Sequence, residues 1–82
     1  MENRELFRAI QFFGSQQKLA AVLKVNRKVV NGWLNKEIQI PTHHALLIES
    51  SSDGKILSEE LAPHAKNQIK IFKKYIANKY LR

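Results

Sequence analysis

The chain has 82 residues and no cysteine. A disulfide, a thiolate nucleophile and a cysteine-ligated zinc site are therefore excluded at the outset. No apolar run approaches the ~20 residues needed to span a bilayer, and the polar, acidic start MENRE is unlike a signal peptide. A cytoplasmic protein is expected. There is also no carboxylate pair, metal cluster or nucleophile with an adjacent base, so neither an enzyme nor a bound cofactor, metal or small-molecule substrate is expected. Serines 50 to 52 lack a base with an orienting partner and read as part of a polar turn with Asp53 and Gly54. His43 and His44 are adjacent, so their side chains should point apart, whereas two chelating histidines on a helix need i, i+4 spacing.

The most informative absence is of acid. From residue 6 to residue 36 there are six basic residues (Arg8, Lys18, Lys24, Arg27, Lys28, Lys36) and no acidic one, and from residue 61 onward there are six more bases and again no acid. Five of the seven acids (Glu37, Glu49, Asp53, Glu59, Glu60) fall between, with Lys55 as their only counterweight. The net charge of +7 is thus segregated, which predicts a positive face attractive to a polyphosphate, with an anionic membrane surface as the competing partner. An apolar content of 44% is that of a globular chain, and 82 residues suffice for one modest core.

Within the acid-free run, residues 15 to 34 read SQQKLAAVLKVNRKVVNGWL. Leu19 and Leu23 share a helical face, Val25 breaks the phase, and Val30 and Trp33 begin a new face three residues apart. Lys24, Val25 and Asn26 therefore form a turn, and Asn26 caps a second helix. The small Ala20 sits where the two helices approach each other. Any small all-α protein contains short striped helices, but the two stripes, the small residue and the cap together predict a helix-turn-helix whose second helix enters the DNA major groove. In that helix, over 27 to 34, Val30 and Trp33 face inward. Trp33 has the chemistry of a base-stacking platform, but a lone aromatic at helical spacing belongs to the core. Arg27, Lys28 and Asn31 face outward, with Val29 and Gly32 as further candidates. Arginine and lysine donate to guanine, asparagine pairs with adenine, and a valine methyl meets a thymine methyl. Arg27 and Lys28 could equally contact phosphates alone. Gly32 would let the backbone approach a phosphate or base.

Elsewhere, Leu6, Ile10 and Phe13, with Phe7 beside them, predict a core helix over 3 to 13, capped by Asn3 and ended by Gly14. Ser15 caps the next helix, about 16 to 23. Residues 35 to 40 form an exit loop in which Lys36 is placed for a phosphate. Pro41 opens a fourth helix to about residue 50, with Ala45 and Ile48 inward and Leu47 nearby. Ser58 should cap a brief turn through Leu61 whose acids favour its dipole, and Pro63 closes it.

The string GSQQKLAAVLKVNRKVVNGW at 14 to 33, then Ile40-Pro41, Ala45, Ile48-Glu49, Gly54-Lys55-Ile56, EEL at 59 to 61 and Pro63, resembles the YdaS-like and Cro-like prophage repressors, lambda-repressor-like helix-turn-helix proteins. The resemblance, which ends at residue 63, implies an all-α, compact four- to five-helix domain, to which the periodicity of 64 to 82 adds a C-terminal helix. It further implies operator binding as a homodimer, in a bacterial or phage-infected cell and on its nucleoid. It puts Gln16 on a phosphate and Arg27, Lys28, Val29 and Asn31 over the bases. The expected DNA-contacting set is Gln16, Gln17, Lys18, Asn26, Arg27, Lys28, Val29, Asn31 and Lys36. The chain departs from the family where Lys24 replaces a turn glycine, Asn26-Arg27 a common serine-glutamine, Leu57 a polar cap and Ala62 a frequent arginine. The loop 35 to 39 also lacks the usual Arg-Gly pattern.

The expected organisation is a DNA-binding domain over 1 to 63 and a basic amphipathic helix over 64 to 82. In the latter, Ile69, Phe72, Ile76 and Tyr80 form one stripe among the lysines. Three fates compete for it: packing on the domain or on a second subunit, extension of the DNA contact by the lysines, or an anionic membrane surface. Since the stripe needs a partner and the resemblance implies pairing through C-terminal ends, dimerisation with auxiliary phosphate contact is favoured. The expected function is a small Cro-like repressor occupying a pseudo-palindromic operator, its recognition helices about 34 Å apart. The alternative is an antitoxin or phage-encoded adaptor whose main partner is another protein.

Overall fold

A computed structural model describes residues 3–80, with side chains through residue 77. The described residues form helices α1 (Arg4–Phe13), α2 (Gln16–Leu23), α3 (Arg27–Leu34), α4 (Thr42–Ser51), α5 (Ser58–Leu61) and α6 (Lys66–Tyr80), with a 3₁₀ turn at Pro63–Ala65 before α6. The fold is all-α, as the apolar periodicity predicts. The side chains of Lys79 and Tyr80, and Arg82 altogether, lie outside the described residues.

Local chemistry sets the first three boundaries. Asn3 Oδ1 accepts from Leu6 N–H, Ser15 Oγ from Lys18 N–H and Asn26 Oδ1 from Lys28 N–H, so each helix opens on a side-chain cap. Gly14, at φ 109°, ends α1 in a conformation that L side chains rarely adopt. Lys24 ends α2 in the left-handed region (φ 57°, ψ 43°), and Val25 N–H folds back onto Ala20 O at 3.0 Å. Asn3 also donates from Nδ2 to Leu61 O and from its backbone to Leu34 O, tying the start of α1 to the ends of α3 and α5.

The core holds Leu6, Ala9, Leu19, Ala20, Leu23, Val30, Trp33, Leu34, Ile40, Ala45, Ile48, Ile56, Leu61, Ala62, Ala65 and Ile69. α3 packs on α1 and α2, whereas α6 packs on α5 and the 3₁₀ turn. Several expectations change here. Leu47 is 42% exposed and Leu46 packs on the core instead. Phe7 is exposed and Ala9 takes the buried place beside Leu6. Phe72 is exposed, so of the 64 to 82 stripe Ile69 is the residue sealed in the core.

Ser50 and Ser51 belong to the last turn of α4, whereas Ser52 stands in the expected turn but is fully buried there. Its Oγ donates to Glu49 O and accepts from Ile56 N–H at 3.0 Å, which satisfies the backbone of the turn. Ser58 is not the cap of α5. The N-cap of α5 is Leu57, which has no acceptor, and the Glu49 carboxylate of α4 does its work: Oε1 accepts from Ser58 N–H (2.7 Å), Ser58 Oγ (2.8 Å) and Lys73 Nζ (2.7 Å). Lys73 also donates to Glu59 Oε1 at 2.6 Å. One carboxylate thus joins α4, α5 and α6.

Burial pushes the Glu49 carboxyl up, but the hydrogen bonds from Lys73 and Ser58 outweigh it and hold it below the usual carboxylate value. The Lys73 hydrogen bond holds Glu59 down in the same way, against a smaller opposing effect of burial. Burial would lower Lys73, but its bonds to Glu49 and Glu59 raise it above the ordinary lysine value. Acids with depressed values stabilise the fold above the unfolded value of 4.5 and lose that contribution as pH falls through their folded values. Glu49→Ala, which leaves Ser58 N–H and Lys73 without their acceptor, should cost about 1–3 kcal/mol in urea denaturation at pH 7. The difference between variant and parent should shrink as pH falls below 4.5.

Candidate nucleic-acid interface

Eight residues of α3 place the candidate contacts. Val30, Trp33 and Leu34 are buried, which leaves Arg27, Lys28 and Asn31 exposed on one arc of about 100°. Asn35, one turn beyond Asn31, continues that arc, and its Nδ2 donates to Asn31 Oδ1 at 3.1 Å. Asn31 Nδ2 in turn reaches Gln16 Oε1 at 3.5 Å, a long contact that joins the start of α2 to the outer side of α3. Gln16, Asn31 and Asn35 therefore form a polar row across the helix-turn-helix. Asn35 is absent from the expected set. Its i, i+4 spacing to Asn31 is the signal that could have found it.

The other expected residues divide by what already occupies them. Gln17 is exposed. Lys18 lies with its aliphatic stem against Gly14, where a Cβ would meet Lys18 Cδ at 3.1 Å. Asn26 is exposed, but its Oδ1 is committed to Lys28 N–H at 2.8 Å, so it acts on this surface by holding the first turn of α3. Val29 is half-buried and packs on the core. Lys36 is exposed in the exit loop at φ 60°, beyond the far end of α3 and roughly 12 Å along its axis from Arg27. Among the described residues, Lys18, Lys24, Arg27, Lys28 and Lys36 form no ion pair, so their charge is available to a ligand.

Gly32 is a correction. It is buried, and the exit loop covers it: Glu37 N–H and Ile38 N–H both reach Gly32 O, at 2.9 and 3.3 Å. A Cβ there would meet Ile38 Cδ1 at 3.0 Å. The missing side chain makes room for the protein's own loop, so a close backbone approach by a phosphate is blocked by Ile38.

Behind α3, Trp33 is 2% exposed and its ring lies 5.3 Å from that of His44 on α4. The two histidines do not point apart, since their rings lie 4.1 Å from one another at a 39° tilt. His44 Nδ1 is buried without a hydrogen-bond partner. Burial, followed by the neighbouring His43, lowers the His44 pKa from its ordinary 6.5. Among the described residues no group of three or more histidines, cysteines or acids could hold a metal, and no helix is long and apolar enough to cross a membrane.

Residues 6–69 match the family model described as bacterial toxin YdaS. The chain is 34% identical over 62 residues to an Escherichia coli (strain K12) protein bearing the name "Putative transcriptional regulator YdaS". That match covers 76% of this chain and 63% of the relative, so the chain spans less than two thirds of the relative's length. No solved structure matches.

The packing of His44 against Trp33 ties the stability of α3 to pH. The neutral ring is favoured in the fold, so stability is retained above 6.5 and falls as pH drops through that value and the ring is forced to charge. Urea midpoints followed by Trp33 fluorescence should decline between about pH 7.5 and 5.5, and His44→Phe should flatten that decline.

Proposed function

The chain belongs to the YdaS family, and from that premise we propose that it is a sequence-specific transcriptional regulator that binds double-stranded DNA with α3 in the major groove. The observation that carries this reading is the outer arc of α3. Arg27, Lys28 and Asn31 stand exposed on a helix whose other side is locked by Val30 and Trp33, inside a run of 31 residues, 6 to 36, without an acid. Arg27 and Lys28 at the start of α3 would address base edges and phosphates. Asn31, steadied by Gln16 and Asn35, would pair with adenine, and Lys36 would hold a phosphate where the chain leaves the groove. The name of the Escherichia coli relative agrees with a regulator.

The finer reading is a Cro-like prophage repressor with two copies on a pseudo-palindromic operator, recognition helices about 34 Å apart on one face of the duplex. Residues 1 to 63 would supply the DNA-binding unit. Selection of bound duplexes from a random pool tests this directly: a two-fold symmetric consensus supports it, and absence of any enrichment overturns specific binding. The description of the matched family as a toxin favours growth inhibition as a second reading. Toxicity on expression that survives loss of Arg27 and Lys28 would separate that activity from DNA.

Arg27→Ala and Lys28→Ala should each cost about 1–3 kcal/mol on the selected site and relax its consensus where the residue reads a base. A phosphate contact would instead weaken all sequences alike. Lys36→Ala should do the latter and reduce the salt slope of log Kd by about 1. Fluorescence anisotropy across a salt series measures both.

A further inference from the structure

We propose that the face shared by α4 and the outer half of α6 is a docking surface for an acidic amphipathic helix of a partner protein. α6 is fastened to the domain by buried Ala65 and Ile69 and by Lys73 between Glu49 and Glu59. On the side of α6 that faces α4, Phe72 is 47% exposed although it is apolar. Between the two helices runs an open groove lined by Leu46, Phe72, Ile76 and Ala77, with Glu49, Ser50 and Lys73 along it. Grooves of this kind take the apolar stripe of a helix, with side chains spaced i, i+3 or i+4 and i+7.

Charge selects the occupant. Lys66, Lys70 and Lys74 project from α6 and form no ion pair among the described residues. No acid follows residue 60, and the one acid of α4, Glu49, is already held by Lys73 at 2.7 Å. A second copy of this face would therefore bring lysines against lysines with no carboxylate to offset them. A flat anionic bilayer would satisfy the lysines, but it would meet the ridge of α6 and leave the concave floor at Leu46 and Ile76 unfilled. A helix with a leucine stripe flanked by glutamates fills the groove and pairs with Lys70 and Lys74 together. Because α6 packs on α5 and the 3₁₀ turn while α3 packs on α1 and α2, such a partner leaves α3 open. The two copies on one operator are then brought together by the duplex.

The test uses the full chain and two labelled synthetic helical peptides with the same leucine stripe, one flanked by glutamates and one by lysines. In low-salt anisotropy titrations the glutamate peptide should bind, and the lysine peptide should bind at least about tenfold more weakly. Phe72→Ser, at an exposed position that lines the groove, should weaken the glutamate peptide while circular dichroism melting is unchanged, whereas Ile71→Ser, on the opposite side of α6, should leave its binding as it is. Lys70→Glu with Lys74→Glu should weaken it by about tenfold and improve the lysine peptide. Equal binding of both peptides, no binding of the glutamate peptide, or binding indifferent to Phe72 overturns the proposal. Self-association in sedimentation that Phe72→Ser abolishes would reassign the face to a second copy. Binding to phosphatidylglycerol vesicles in preference to the peptide would reassign it to a membrane.

Discussion

A helix of eight residues does not hold itself together in water, because closing its first turn orders several residues for a single hydrogen bond. α3 exists because Val30, Trp33 and Leu34 are buried, and everything offered by its outer side depends on that burial. The cap at Asn26 satisfies the Lys28 amide in the first turn, Trp33 rests against His44, and the exit loop closes over Gly32. The angle between α2 and α3 follows from the same contacts. Ala20 leaves room at the crossing, and Lys24 accepts a left-handed conformation that glycine would adopt at less cost. A short helix supported in this way presents its outward polar side chains in a fixed arrangement, which is what the proposed reading of base edges would need.

A second point of dependence lies on the opposite flank. Glu49 accepts from the backbone and hydroxyl of Ser58 and from Lys73, so one side chain opens α5 and fixes the course of α6. Leu57 has no side-chain acceptor of its own, and the carboxylate of α4 replaces it. This arrangement explains how a lysine-rich helix is held against the domain although it carries no acid itself. It also determines which apolar residues of α6 stay exposed, because rotating the helix to bury Phe72 or Ile71 would withdraw Lys73 from both of its acceptors. The basic helix-turn-helix surface and the α4–α6 groove are thereby kept on separate sets of elements, as the two proposed ligands of different chemistry would require.

How much was legible in the sequence differs from one side chain to the next. Asn3, Ser15 and Asn26 mark the starts of α1, α2 and α3 because a cap is a contact between residues two or three apart. The inward sides of α2 and α3 were legible for a related reason: Leu19, Leu23, Val30 and Trp33 recur at helical spacing, and a helix can bury only one stripe. The segregation of charge is a property of the sequence alone. Gly32, Ser58 and the His43-His44 pair read differently once folded. Each is decided by a neighbour that spacing within one helix does not supply: Ile38 over Gly32, Glu49 at Ser58, Trp33 against His44.

By itself, then, the order of residues determined the all-α class, the limits of the helix-turn-helix and the identity of the outward residues Arg27, Lys28 and Asn31, since helical periodicity and capping act over a few residues. Only the tertiary structure decided that Asn35 joins the polar row, that Asn26 is committed to its cap and that Gly32 makes room for a loop. It alone decided that Glu49 and Lys73 fasten α6. These depend on where separate segments meet, and that follows from how all the apolar stripes are buried at once.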